Sequence, residues 1–230
     1  MSEVTVILLG HKSLAGKDTF FDAVQGLGFV RVGFADKLKQ TVADLYGFTN
    51  DQMFGNSKDI EDKRYLNDYD PTHFYNNDFG DQIPIRYFGD SESAKAEDLS
   101  VNPDYRGYLT PRRVLQIFGQ QQRALFPDIW AAYVFNTALP KLVAEGHKKI
   151  VITDFRFQNE GRVAENWVKE DENSRSLYTV KVHRPDVYAK SGSNDISEVD
   201  LDNYEFDNTV INDGSLEEFQ EKAREFVVNL

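Results

Sequence analysis

A segment near the N-terminus combines small residues, a lysine and a carboxylate in an order suited to binding phosphate. It runs from Gly10 to Thr19 and reads GHKSLAGKDT. The β-branched run Val4 to Leu9 before it predicts a strand, and the apolar spacing of Asp18 to Val24 predicts a helix. Between a strand and a helix, small residues let backbone N–H groups turn inward, and the helix N-terminus adds partial positive charge. Because Lys17 could reach β and γ phosphates, the segment predicts a phosphate loop for a triphosphate such as ATP.

Two features of this phosphate loop differ from the standard motif. Five residues separate Gly10 from Gly16, where the motif has four. Asp18 follows the lysine in place of serine or threonine, so a carboxylate could hold Mg²⁺ directly or through water. A chance Gly-rich turn before a helix is the alternative, but the strand–loop–helix context favours phosphate binding. The residues expected to contact ATP are Ser13, Ala15, Gly16, Lys17, Asp18 and Thr19.

A second set of charged residues follows the predicted strand Lys149 to Thr153. Asp154 comes directly after this strand, and Arg156 lies two residues further on. Open α/β sheets present residues to ligands at the carboxyl ends of their strands, so Asp154 is a candidate metal ligand. Capping of the next helix by Asp154, or an ion pair with Arg156, is an equally weighted alternative.

A third set lies on a predicted helix with the sequence TPRRVLQIFGQQQR. Arg112, Gln116, Gly119 and Arg123 recur at intervals of three or four residues and can share one helix face. Two guanidinium groups on one face could clamp a phosphate, although spacing alone favours an ordinary solvated face. The nearby Trp130 could stack on a base or pack in a core.

The remaining pattern is one of alternating strands and helices. This alternation predicts an α/β, three-layer fold with a mostly parallel central sheet of about five strands flanked by helices. We treat residues 1–230 as a single domain. The further predicted strands are Phe29 to Phe34, Leu177 to Val182 and Thr209 to Ile211, and the further predicted helices are Ala35 to Tyr46, Ile129 to Val143, Glu160 to Lys169 and Ser215 to Val228.

The pattern dissolves between about residues 48 and 108, where asparagine, aspartate, glycine and aromatic residues prevail. A connection of this length is unusual in a compact domain, so it predicts an inserted lid or acceptor-binding segment. Its aromatic residues and Arg86 could form a base-binding pocket, because bases stack on aromatic faces.

Composition excludes several classes of function. With 38 acidic and 26 basic residues, the formal net charge is −12, which disfavours binding of polymeric nucleic acid but not of a small anion. No cysteine is present, so disulfides, zinc–thiolate sites and cysteine nucleophiles are excluded. The four histidines lack metal-binding spacing. The short run Val4 to Leu9 indicates a buried strand and not a signal peptide or membrane span, so we expect a cytoplasmic protein without a membrane partner.

Taken together, these motifs resemble the deoxynucleoside monophosphate kinases of bacteriophages, a branch of the P-loop nucleoside monophosphate kinase superfamily. The GKDT form of that family's phosphate loop carries aspartate after the lysine, and Lys12 matches a lysine near the first glycine of its loop. The blocks that carry the resemblance are AGKDT (Ala15 to Thr19), FADKLK (Phe34 to Lys39), TPRRVLQIFG (Thr110 to Gly119), Trp130, ITDFRFQNE (Ile152 to Glu160) and VINDGSLEEF (Val210 to Phe219).

The resemblance implies transfer of the γ-phosphate of ATP, with Mg²⁺, to a deoxynucleoside monophosphate in the cytoplasm of a host cell. Catalytic candidates are Lys17, Arg112, Arg123, Asp154 and Arg156, and metal-binding candidates are Asp18 and Asp154. Resemblance and spacing together give as acceptor-binding candidates Lys12, Asp36, Lys37, Lys39, Arg86, Arg112, Gln116, Gly119, Arg123, Trp130, Asp154 and Glu160.

Two other functions stay open at the level of the sequence. A kinase of another small phosphate, such as phosphomevalonate, could carry a similar GKD loop. A non-catalytic nucleotide-binding module could keep the phosphate loop without turnover. The accepted bases and the oligomeric state are also open, with a homodimer as one option.

Overall fold

The computed structural model describes residues 3–64, 66–67, 74–76, 82–84, 107–188 and 196–230. The chain forms two compact units, residues 1–37 with 127–230, and residues 38–126. Among the described residues, none of the helices has both the length and the apolar character needed to span a bilayer.

The first unit contains the parallel sheet that the sequence predicts. Its five strands stand in the order β2-β7-β1-β8-β9, and every neighbouring pair is parallel. The bounds of all strands are β1 Val4–Gly10, β2 Phe29–Val32, β3 Leu66–Asn67, β4 Phe74–Asn76, β5 Gln82–Pro84, β6 Gly107–Tyr108, β7 Lys149–Phe155, β8 Arg175–His183 and β9 Asn208–Ile211.

Helices precede or follow these strands as the alternating pattern predicts. The predicted helix Ile129 to Val143 is present, with a π-helical segment, Val134–Ala138, in its middle. The α-helix bounds are α1 Lys17–Val24, α2 Asp36–Tyr46, α3 Asn50–Phe54, α4 Pro111–Leu125, α5 Ile129–Tyr133, α6 Leu139–Ala144, α7 Gln158–Lys169, α8 Pro185–Tyr188, α9 Ile196–Val199 and α10 Leu216–Val228. The α/β fold class is therefore confirmed.

Burial on both faces explains why the central strands form. In β1, six of seven residues are buried, in keeping with the continuous apolar sequence of a central parallel strand. On one face, Phe20 of α1 and Phe219 of α10 pack against strand residues such as Val151 and Val180. On another side, Phe155 at the end of β7 contacts the rings of Tyr204 and Phe206. The central strands therefore fix where the loops at their carboxyl ends emerge.

Two helices of the second unit, α3 and α4, begin with local caps. Thr49 and Gln52 form a reciprocal capping box at α3, and Thr110 caps α4 with Pro111 in the first turn. The described short strands pair antiparallel, β3 with β6 and β4 with β5. Arg86 and most aromatic residues of the proposed base pocket lie outside the described residues, and Phe74 and Tyr75 of that pocket are described only as part of β4. The inserted acceptor-binding segment therefore stays a prediction.

We expect Phe219→Ala to lower the free energy of unfolding by about 3–5 kcal/mol, because it deletes a fully buried aromatic ring from the core. Leu216→Ala, in the same helix at a position 57% exposed, is the matched control and should change stability by less than about 1 kcal/mol. Urea denaturation followed by circular dichroism measures both. Equal midpoints for the two variants would contradict this account of the core.

Candidate functional site

The phosphate loop turns from β1 into α1 through left-handed backbone. His11 has a φ of 89°, Leu14 of 58° and Gly16 of 109°. A non-glycine residue in this region costs about 1–2 kcal/mol, so neighbouring contacts must hold the loop in this form. The loop is one residue longer than the standard motif, and it ends at the start of α1. The first N–H groups of a helix have no intrahelical partners.

Lys17 is a buried lysine of this loop. Its side chain folds back, and Nζ donates to the carbonyl oxygens of His11 at 3.1 Å and of Lys12 at 2.6 Å. The residue is 7% exposed. Burial, with a smaller contribution from the positive charge of Arg156, lowers the pKa of Lys17 to about 7. An ammonium with so little hydration gains more from an approaching anion than a solvated one does.

Asn212, the residue directly after β9, contacts the phosphate loop. The Asn212 side-chain amide donates to the carbonyl of Ala15 at 2.9 Å, and the Asn212 backbone N–H donates to the carbonyl of His183 at 2.7 Å. A Cβ atom on Gly16 would lie 2.6 Å from the Asn212 amide nitrogen. Glycine is therefore required at position 16 for both its backbone conformation and its contact with Asn212.

An acidic segment, residues 196–202, lies against the phosphate loop. The Ser13 N–H donates to Glu198 Oε2 at 2.8 Å. Lys12 Nζ donates to Asp202 Oδ1 at 2.5 Å and also to the backbone carbonyl of Glu198. The sequence reasoning missed Glu198 and Asp202, since an acidic run resembles an ordinary solvated surface.

His11 also contacts this acidic segment, with 3.2 Å between its Nε2 and Asp202 Oδ1. Burial, and the nearby charges of Lys181 and Lys12, lower the pKa of His11 to about 4, against a smaller opposing effect of Asp202. His11 is therefore a neutral hydrogen-bonding group near pH 7, not an additional cation of the site.

Asp154 binds backbone at the approach to α2. Its Oδ1 accepts the N–H of Phe34 at 2.8 Å, and its Oδ2 accepts the N–H of Ala35 at 3.0 Å. Both N–H groups belong to the turn that precedes α2, so the Asp154 carboxylate holds this turn, and not the following helix, α7, that the sequence alternative named. Each oxygen retains a further lone pair, because an ionised carboxylate offers about four acceptor positions.

Both the backbone and the side chain of Arg156 are held by neighbouring groups. Its backbone N–H donates to Glu160 Oε2 at 2.9 Å, and its guanidinium forms an ion pair with Glu198 and donates to the carbonyl of Ser197 at 3.4 Å. Glu160, a predicted acceptor-binding residue, is 2% exposed and also accepts the N–H of Phe157 at 3.1 Å. In this structure the Glu160 carboxylate therefore accepts hydrogen bonds from the two residues that precede α7.

The other predicted acceptor residues of the first unit are engaged with neighbours. Asp36 pairs with Arg31, and its Oδ2 accepts the Gly33 N–H at 2.7 Å. Lys37 Nζ lies 5.8 Å from the centre of the Tyr133 ring. Trp130 is buried.

The candidates on α4, together with Lys39 in α2, belong to the second unit. Arg112 forms an ion pair with Asp59, and this contact lowers the pKa of the Asp59 carboxyl. Lys39 Nζ lies 5.0 Å from the centre of the Phe54 ring. A Cβ on Gly119 would lie 3.0 Å from the Leu38 side chain, so this glycine allows close packing. Gln116 and Arg123 are partly buried on the same helix.

The donor chemistry near Lys17 fits Mg²⁺ bound together with phosphate. Asp18 and Asp154 both lie close enough to Lys17 to raise its pKa against the effect of burial. Mg²⁺ commonly uses one or two carboxylates, with substrate phosphates and water as its remaining ligands. Within the described part of the chain, no group of three or more histidine, aspartate or glutamate side chains could hold a metal alone.

Comparison with known proteins found a distant relative. No protein-family model matches the chain. A protein of Acanthamoeba polyphaga mimivirus, which carries the provisional name deoxynucleotide monophosphate kinase, is 26% identical over 220 residues, covering 94% of this chain and 92% of its own. Among solved structures, dephospho-CoA kinase from Campylobacter jejuni superposes with a TM-score of 0.46 and 11% identity, over 100% of this chain and 97% of its own.

We expect Gly33→Ala to lower the free energy of unfolding by about 1–3 kcal/mol, because overpacking forces neighbours apart. The new Cβ would lie 2.8 Å from Asp36 Oδ1 and 2.9 Å from Asp154 Oδ2. Gly26→Ala is the matched control, since no atom lies within 4 Å of its Cβ position. Thermal unfolding of both variants measures the difference. Equal stability of the two would show that the carboxylates give way easily.

Proposed function

We propose that this protein is an ATP-dependent kinase that phosphorylates a deoxynucleoside monophosphate. The observation that carries the proposal is the buried Lys17 in a strand–loop–helix turn, with Asp154 and Arg156 at the end of the neighbouring strand β7. A cation, a helix N-terminus and an arginine in one place suit a polyphosphate better than any neutral ligand.

The distant relative supports the acceptor class. Its provisional name refers to a deoxynucleotide monophosphate, and the similarity extends over nearly the whole length of both chains. Similarity over the whole length is stronger support than a shared phosphate loop, because that loop occurs in many classes of nucleotide-binding protein.

The proposed reaction needs little covalent participation by the protein. An oxygen of the acceptor's phosphate attacks the γ-phosphorus in line, the bond from that phosphorus to the β–γ bridging oxygen breaks, and ADP leaves. The attacking oxygen is already anionic at neutral pH, so no strong general base is required. Bound Mg²⁺, held by Asp18 or Asp154, would supply further neutralisation of the phosphate charge.

Lys17 and Arg156 are the protein's own groups for this chemistry. Lys17 would exchange its two carbonyl contacts for phosphate oxygens, and Arg156 offers several N–H donors beside it. In the second unit, the acceptor roles of Arg112, Gln116 and Arg123 stay predictions from the sequence. Catalysis in this scheme is positioning together with charge neutralisation.

The decisive assay measures ADP release with ATP and Mg²⁺ against a panel of deoxy- and ribonucleoside monophosphates, with phosphomevalonate included. We expect turnover with at least one deoxynucleotide. Lys17→Ala should lower turnover by about 10²–10³, the usual loss when one preorganised donor is removed. Lys169→Ala, an exposed lysine on α7, is the control and should retain wild-type turnover.

Other outcomes of this assay point to other functions. Turnover with phosphomevalonate alone would favour a kinase of another small phosphate. ATP binding without transfer to any acceptor would favour a non-catalytic nucleotide-binding module. Full turnover by Lys17→Ala would contradict the role of the phosphate loop.

A proton should be taken up when ATP binds near pH 8. The pKa of unliganded Lys17 is about 7, so the amine is mostly neutral at pH 8, and a triphosphate at the loop raises this pKa by favouring the ammonium form. Affinity should therefore fall as the pH rises above about 7. Calorimetry in buffers of different ionisation enthalpy should give an uptake close to one proton, which Lys17→Arg should abolish because guanidinium stays protonated. Equal uptake by both proteins would assign the proton to another group.

A further inference from the structure

The Glu198 carboxylate makes the contacts that a phosphate would make. One oxygen accepts the backbone N–H of Ser13 in the phosphate loop at 2.8 Å, and the other accepts from the Arg156 guanidinium. The Glu198 side chain is 16% exposed, and its contact with Arg156 is partly buried, whereas Ser13 lies at an exposed position. Backbone N–H groups of a curled loop and an arginine are the usual donors to phosphate oxygens.

The fold holds this carboxylate in place. Two residues along, Asp200 Oδ2 accepts the N–H of Gln158 at 2.7 Å, and the Gln158 side chain donates to the Asp200 carbonyl at 2.7 Å. Leu201 is buried, and Tyr204 packs edge-on against Phe155. The acidic segment is therefore anchored on α7 and at the end of β7, and Glu198 reaches the phosphate loop from a fixed base.

Charge explains why an acid is tolerated here. Lys12 and Lys17 in the loop and Arg156 beside it bring three basic groups together, and burial, followed by the positive charge of Arg156, lowers the pKa of Lys17. Glu198 opposes this effect and raises the pKa of Lys17. The carboxylate thus serves as the counter-anion of a cationic loop within the protein itself.

Glu198 and a phosphate cannot both use the Ser13 N–H, because that group has a single hydrogen. Arg156, with several N–H groups, could serve both partners. We propose that the Ser13 N–H and the Arg156 guanidinium form an oxygen subsite for the polyphosphate of the nucleotide, and that Glu198 is the internal ligand of this subsite, which the nucleotide must displace. This inference rests on the proposed function and adds a built-in competitor to its phosphate loop.

Calorimetric titration with ATP, and separately with inorganic tripolyphosphate, tests the competition. Glu198→Gln removes the negative charge while keeping the shape, and it should bind both probes about tenfold more tightly, since hydrogen bonds to charged groups contribute about this much. Glu205→Gln is the matched control, because it removes the same charge at an exposed position of the following chain. Its Kd should stay within about twofold of wild type, as exposed charges are screened by salt.

A second variant keeps the test independent of charge removal. Glu198→Asp retains the negative charge but withdraws the carboxylate from the Ser13 N–H, so it should also bind more tightly than wild type, by a smaller factor. Damage to the fold weakens binding, whereas loss of a competitor strengthens it. An unchanged or weaker affinity in both variants would overturn the proposal.

Transfer assays on the same proteins separate this inference from the proposed function. If wild type transfers phosphate but Glu198→Gln gains no affinity, the inference fails and the kinase function stands. If Glu198→Gln gains affinity but no acceptor is phosphorylated, the kinase function fails and the competition stands. Absence of binding of either probe to every variant would overturn both.

Discussion

Burial of one ammonium group, that of Lys17, is the constraint on which the first unit depends. A cation removed from water needs oxygen atoms around it, and the loop supplies them by folding its own carbonyl groups of His11 and Lys12 onto Nζ. That fold requires left-handed backbone at three positions, which two non-glycine residues adopt at a cost. The buried strand β1 before the loop, the helix α1 after it and the Asn212 contact from β9 together maintain this conformation.

The sheet could be predicted because each strand carries its own signal. β1 and β7 are continuous apolar runs, which is typical of parallel strands covered on both faces, and local turn and cap residues such as Thr110 and Pro111 mark helix starts. The order of the strands carries no such signal. It follows from helices packing on both faces, and so from contacts between residues far apart in the chain, such as Phe20 with Phe226.

The residues of the candidate site also fall into those that the local sequence indicates and those that only the fold brings together. Lys17, Asp18 and their neighbours are adjacent in sequence, so one motif could indicate them together. Glu198 lies 185 residues from Ser13, and Asn212 lies 197 residues from Ala15, and nothing in the local sequence relates either pair. Asp154 illustrates a third case, since its position after a strand was predictable but its partners, the N–H groups of Phe34 and Ala35, depend on how β2 and β7 pair.

The proposed function sets the overall charge of an acidic protein against a site for a polyanion. The formal charge of −12 repels nucleotides at long range, while a cluster of buried cations is unstable without counter-charge. Carboxylates inside the site resolve the second difficulty, because Glu198 and Asp202 pair with Arg156 and Lys12. The long-range repulsion remains, but in the proposed subsite a phosphate oxygen would replace a carboxylate oxygen at the same donors, so no buried positive charge would be left without an anion. Affinity in such a site depends on how much more strongly the donors bind the phosphate than the internal carboxylate, and not on the number of cations present.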